Sequence, residues 1–171
     1  MDRERFLGTL LGLGVLPLAG CAGATEPEAE EPEVFEVVKS EAEWLEIISY
    51  AEYLSLYIGA TEAPYSSPLL DEEREGTYLC KGCLLPLFAS AAKYDSATGW
   101  PSFWDPLPNQ LRFKADFKLD EPRTEYHCRR CGGHQGHVFD DGPLPTGKRY
   151  CNNGLALLFV PAGEALPELR T

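Results

Sequence analysis

Two cysteine pairs, Cys80-Lys-Gly-Cys83 and Cys128-Arg-Arg-Cys131, constrain this chain more than any other feature of it. Thiolates separated by two residues reach one tetrahedral ion together, and two such pairs complete a four-cysteine site with no position left for a substrate. Gly82 and Gly132 suit the tight turns of such knuckles. The runs Gly76-Thr-Tyr-Leu-Cys80 and Thr124-Glu-Tyr-His-Cys128 place each knuckle at a strand end. One structural zinc ion is therefore expected, tying the middle of the chain to its C-terminal third, and its loss should unfold the domain. Two disulfides, or a dithiol redox pair, are the competing readings of the same spacing.

Six cysteines stand at positions 21, 80, 83, 128, 131 and 151, so Cys21 and Cys151 need explanations of their own. Cys151 falls in a segment that reads as a hairpin. His134 to Phe139 extends as a strand, residues 140–147 are dense in turn residues, and Arg149 to Asn153 with the apolar run Leu155 to Val160 returns. Alternation along a strand points Arg149, Cys151 and Asn153 to one side, a thiol between a cation and an amide. His134 and His137 carry metal-ligand spacing, but four thiolate ligands are complete without them. They are better placed to polarise a substrate beside the thiol.

At the N-terminus a short charged start precedes the apolar, glycine-rich stretch Phe6 to Leu18, closed by Leu18-Ala-Gly-Cys21. This is the pattern of a bacterial lipoprotein signal peptide, residues 1–20, with Cys21 lipidated. A transmembrane anchor is the alternative, but the stretch falls short of about 20 strongly apolar residues. Residues 21–34 then read as a lipidated cysteine and an acidic, disordered tether. The expected setting is the bacterial cell envelope, outside the cytoplasm and held to a membrane through Cys21.

The folded domain is expected over residues 35–163, with 164–171 as a C-terminal tail. Ser40-Glu-Ala-Glu43 is a capping box opening a helix through Trp44, Leu45, Ile47 and Ile48, and a second helical pattern runs from Tyr50 to Ile58 and stops at Gly59. Ala60 to Tyr65 begins an extended arm. Strand-like runs follow at 77–80, 113–118, 123–128, 134–139 and 150–160, predicting a mainly antiparallel β core with N-terminal helices. The net charge of −12 and the lack of a basic run argue against nucleic acid as partner. In Gly99-Trp-Pro-Ser-Phe-Trp104, the residues around Trp100 hold its ring on a loop, as core or as a pocket wall.

The paired knuckles, GWPSFW at 99–104, CGGHQGHVFDDGPLPTGKRYCNN at 131–153 and the arm ATEAPYSSPLLDEEREGTYLCKGC at 60–83 together resemble the class B methionine sulfoxide reductases. The resemblance spans roughly residues 34–161 and implies two antiparallel β-sheets with N-terminal helices, plus a four-cysteine zinc site on Cys80, Cys83, Cys128 and Cys131 remote from the catalytic face. It implies reduction of the R epimer of methionine sulfoxide in proteins. Cys151 matches the nucleophile, Trp100 the aromatic that packs on the substrate methyl group, and His134, His137 and Asn153 the polar set. Arg149 and Phe139 join Trp100 in substrate binding, and Asp141 and Gly142 match a shaping turn.

Thr98 stands where many relatives carry a resolving cysteine. The expected cycle therefore uses one cysteine, with an external thiol or thioredoxin-like protein reducing the sulfenic acid left on Cys151. A monomer acting on oxidised proteins is expected. A zinc-ribbon binding module and a periplasmic disulfide oxidoreductase are the other function classes, and neither needs Cys151, Trp100, His134, His137 and Asn153 together.

Overall fold

The computed structural model describes residues 33–171; the signal-peptide segment, Cys21 and nearly all of the acidic tether lie outside the described residues. Helix α1 (Glu41–Leu45) opens on the expected capping box: Ser40 Oγ accepts from the Glu43 backbone N–H at 3.4 Å and Glu43 Oε2 accepts from the Ser40 N–H at 2.7 Å. Ser49 and Glu52 repeat the device at α2 (Tyr50–Tyr53), which relaxes into one π-helical turn over Leu54–Ile58 and ends at Gly59 with φ 74°. The left-handed conformation there favours glycine. Trp44 is buried and stacks on Tyr57 at 4.6 Å. No helix among the described residues is long and apolar enough to cross a membrane.

The rest is antiparallel β-structure in two sheets. Strands β1 (Gly76–Cys80), β2 (Pro86–Ala89) and β9 (Leu157–Pro161) form one, in the order β2-β1-β9. The other joins β3 (Lys93–Tyr94), β4 (Ser102–Phe103), β5 (Leu111–Asp116), β6 (Arg123–Cys128), β7 (His134–Phe139) and β8 (Arg149–Asn152), in the order β3-β4-β8-β7-β6-β5. The core lies between the sheets. Phe88 stacks on Phe103 at 4.2 Å and Tyr78 meets Phe103 edge-on at 4.9 Å, all three fully buried. Burying such rings contributes about 2 to 3 kcal/mol each, so the sheets are held together mainly by aromatic packing and by the knuckles at the ends of β1 and β6.

Two expectations need correction. The return strand read over 150–160 is two strands in different sheets: after Asn152 the chain turns through Gly154–Ala156 and enters the smaller sheet as β9. At the break the Gly154 N–H donates to the Glu62 carboxylate and makes no ladder bond. Strands β2, β3 and β4 were not among the predicted runs. Two of them are only two residues long, too short to show alternation.

Residues 164–171, expected as a tail, are tied to the first knuckle. Arg170 donates from its backbone N–H to the Cys83 carbonyl at 3.1 Å and from Nη1 to the carbonyls of Lys81 and Gly82 at 2.7 and 3.0 Å.

Candidate active site

The larger sheet assembles the site through its register. Tyr94, Ser102, Cys151, His137, Glu125 and Lys114 lie each opposite the next, in one lateral row across six strands. Directly opposed residues present their side chains to the same face, so pairing alone sets His137 beside Cys151. Close approach of β7 and β8 requires Gly136, where a Cβ atom would stand 1.9 Å from the Cys151 carbonyl oxygen.

Cys151 opens into a cavity of about 280 Å³ lined by Thr61, Thr98, Trp100, Arg123, Gly136, His137, Phe139, Arg149, Cys151, Asn152 and Asn153. Of the residues read from sequence, Trp100, His137, Phe139, Arg149, Cys151 and Asn153 are brought together here. The aromatic cluster divides: Trp100 goes to the cavity wall, while Phe103 is fully buried and Trp104 packs against the core. The arm fixes the wall, since Trp100 Nε1 donates to the Glu62 carbonyl at 3.1 Å and the Glu62 N–H donates to Asn153 Oδ1 at 3.2 Å.

His134 is not among the lining residues. By simple alternation it would face away from His137; a bulge between β6 and β7, where His127 pairs with His134 but Tyr126 with Gly136, turns it to the His137 side. Its ring lies 5.4 Å from that of His137, buried, with Nδ1 3.0 Å from Glu125 Oε1. Burial pushes the Glu125 carboxyl up, but His134 and Lys114 bring it down to about 2, so it is ionised at neutral pH.

His137 is held by a residue that sequence reading missed. Its Nε2 sits 2.7 Å from Asp116 Oδ2, which also accepts from Arg123 Nη2 at 2.7 Å, while Asp116 Oδ1 accepts from the Lys118 N–H at 3.0 Å. Burial raises the Asp116 carboxyl, but these donors more than offset it and hold the group below the usual carboxylate range. An ionised carboxylate only accepts, so Nε2 carries the hydrogen. Nδ1 is then the ring nitrogen left to take or return a proton. Burial lowers the His137 pKa, Asp116 partly opposing it, so the ring is neutral at neutral pH.

Burial is also the largest influence on Cys151 and raises its thiol above the ordinary value, with the Arg149 guanidinium and the Thr98 hydroxyl pulling the other way. Arg149 is clamped: Nε and Nη2 each donate to Asp141 at 2.8 Å, and its guanidinium lies 4.2 Å from the Phe139 ring centroid. Such a fork fixes the cation's position.

The four knuckle sulfurs lie within 4.8 Å of one another and are all buried, with Cys80 to Cys131 at 3.7 Å and Cys83 to Cys128 at 3.5 Å. Tetrahedral zinc with sulfur at about 2.3 Å needs edges of about 3.8 Å. The cluster fits one structural zinc ion and leaves no open coordination position. No disulfide joins the described cysteines, and the sulfurs of the two pairs converge as one group of four, the arrangement a single ion takes. None of the four lines the cavity.

The description "SelR domain" belongs to the family model that matches residues 49–161. A protein of Alteromonas mediterranea described as "Peptide methionine sulfoxide reductase MsrB" is 44% identical over 121 residues, covering 70% of this chain and 85% of that one. A protein of Methanosarcina barkeri with the same description is 45% identical over 129 residues (75% and 91% covered), and one of Xylella fastidiosa is 48% identical over 118 residues (68% and 76%). Among solved structures, the Mis18 "Yippee-like" domain aligns with 53% of this chain at 21% identity and a TM-score of 0.44.

Proposed function

The chain belongs to the SelR-domain family, and from that premise we propose that it reduces methionine-R-sulfoxide in proteins to methionine, with Cys151 as nucleophile. The observation that carries the reading is one juxtaposition: a thiol at the floor of a small cavity, an indole as its wall, and a histidine opposite it across one strand pair.

Sulfoxide sulfur becomes electrophilic when its oxygen is protonated or hydrogen-bonded. The methyl group packs against Trp100, and the sulfur faces Cys151. His137 Nδ1 takes the thiol proton and delivers it to the sulfoxide oxygen as the Cys151 sulfur attacks. Oxygen moves from one sulfur to the other: thiol plus sulfoxide give sulfenic acid plus thioether. Two external thiols then reduce the sulfenic acid to thiol, forming a disulfide and water. Asn153, oriented by Glu62, and Arg149, clamped by Asp141, line the place where the substrate oxygen and backbone sit. His134 acts behind His137, through packing and the Glu125 charge. Zinc holds the scaffold and takes no part in the chemistry.

The proposal extends to the cell envelope, with a monomer anchored through a lipidated Cys21. Its support is the apolar stretch closed by Leu18-Ala-Gly-Cys21.

The test gives the purified protein a racemic peptide-bound methionine sulfoxide and dithiothreitol, and follows the two epimers by chiral chromatography. Loss of the R epimer alone is expected. If neither declines while the protein is folded and zinc-loaded, the enzyme reading is wrong. Asp116→Asn replaces the acceptor that fixes the His137 tautomer and is expected to lower kcat by about 10²-fold, with KM changed much less. An unchanged kcat would remove His137 from the proton path.

A further inference from the structure

The cavity wall beside Trp100 carries hydroxyl groups that the mechanism above does not use. Residues 95–101 connect β3 to β4 and are fastened from both sides. From the arm, the Tyr65 N–H donates to the Gly99 carbonyl at 2.7 Å and the Tyr65 hydroxyl to the Ala97 carbonyl at 2.9 Å. From within, Ser96 Oγ lies 2.8 Å from Thr98 Oγ1 and 2.7 Å from Ser102 Oγ. Ser102 is fully buried, is the cross-strand partner of Cys151, and donates to the Trp100 carbonyl at 3.2 Å. Three hydroxyls thus run from a fixed carbonyl to Thr98, which shares the cavity with Cys151.

Hydroxyls donate one hydrogen each and accept freely. A carbonyl only accepts, so Ser102 donates to Trp100 and is left to accept from Ser96. Thr98 then has two settings. In one, Thr98 gives its hydrogen to Ser96. In the other, one rotation turns that hydrogen into the cavity that Cys151 also lines, and no proton leaves the chain.

We propose that Thr98 is a positioning residue for Cys151, its hydroxyl held by Ser96 and Ser102 so that it donates to the thiolate and favours the ionised nucleophile. The proposal rests on Cys151 being the reactive thiol, and the neighbours show why a neutral donor matters. Arg149 is engaged by Asp141 through two hydrogen bonds. Arg123 is engaged by Asp116, and His137 is neutral. The phenols of Tyr94 and Tyr126 are pushed up by burial and uncharged, and the Tyr126 hydroxyl is already donated to Asn152 Oδ1 at 2.9 Å. Burial raises the Cys151 thiol, and the Arg149 guanidinium and then the Thr98 hydroxyl oppose that rise.

The test reads the thiol directly. The rate of iodoacetamide alkylation at Cys151 is followed against pH by peptide mass spectrometry in the native protein and in Thr98→Val and Thr98→Ser, each checked for bound zinc and near-UV dichroism. Thr98→Val, similar in shape but without the hydroxyl, is expected to move the midpoint up by about one pH unit, a tenfold slower reaction at pH 7. Thr98→Ser is expected to restore the native profile. A Thr98→Val midpoint equal to the native one overturns the proposal, as does an equal shift in both variants, which would make shape rather than the hydroxyl responsible. Alkylation needs no sulfoxide, so the result stands apart from the outcome of the epimer assay.

Discussion

Cys128→Ser is expected to leave the chain without its native fold at ordinary temperature. Cys80 closes β1 in the three-stranded sheet and Cys128 closes β6 in the six-stranded one, so the ion joins the two layers and not merely two turns. Binding of a structural zinc ion contributes about 10 to 16 kcal/mol, against about 5 to 15 kcal/mol of net stability in a domain of this size. Serine supplies no thiolate, and the three sulfurs left behind sit buried around an incomplete shell. Their surroundings suit a charged cluster: Gln135 Nε2 donates to Cys80 Sγ at 3.5 Å, and the Arg170 guanidinium covers the knuckle from outside. The check is metal content together with thermal unfolding followed by circular dichroism. Chelation of the native protein is expected to give the same unfolded spectrum. A zinc-free variant that melts within a few degrees of the native protein would show the aromatic interface to be sufficient alone.

The knuckles were legible because metal ligation imposes a local spacing, and the capping boxes at Ser40 and Ser49 because helix ends are set by residues three apart. The cavity was only partly legible. Cys151 and Arg149 share a strand, so alternation placed them together, and Trp100 entered through its turn context. Asp116 and Glu62 gave no such signal. Asp116 is one acid at the end of a strand, and its meaning comes from pairing with Arg123 and from the reach of His137 on β7, 21 residues away. Glu62 acts on Trp100 and Asn153 from an arm with no regular structure. The two histidines, three apart and so on opposite faces by strict alternation, are brought side by side by a bulge that no periodicity reports. The apolar run ending at Val160 concealed a change of sheet, because a strand buried in either sheet reads the same. What sequence carries well is chemistry imposed within a few residues; partnerships made by long-range register wait for the fold.

Cys151→Ser is expected to lower turnover of the R epimer by about 10⁴-fold or more, as removal of a covalent nucleophile does elsewhere, while zinc content and unfolding temperature stay close to native. A hydroxyl in that place keeps the shape of the cavity but cannot ionise beside a neutral His137, and it is a far poorer nucleophile toward sulfur. The native protein supplies the complementary result. Given one equivalent of sulfoxide and no reductant, it is expected to hold one dimedone-reactive sulfenic acid per chain, located at Cys151. The other four described cysteines are the zinc ligands, and the neighbour across the cavity at position 98 is a threonine, so no described thiol is free to close a disulfide onto the oxidised sulfur. The Ser variant should show no dimedone adduct under the same treatment. An intrachain disulfide involving Cys151 in the native protein would contradict the one-cysteine cycle, since a zinc ligand or Cys21 would then have to act as the resolving thiol. Persistence of the sulfenic acid, followed by its loss on adding an external dithiol, would place the reductant outside the chain and make its docking at the Trp100 cavity the step that ends each turnover.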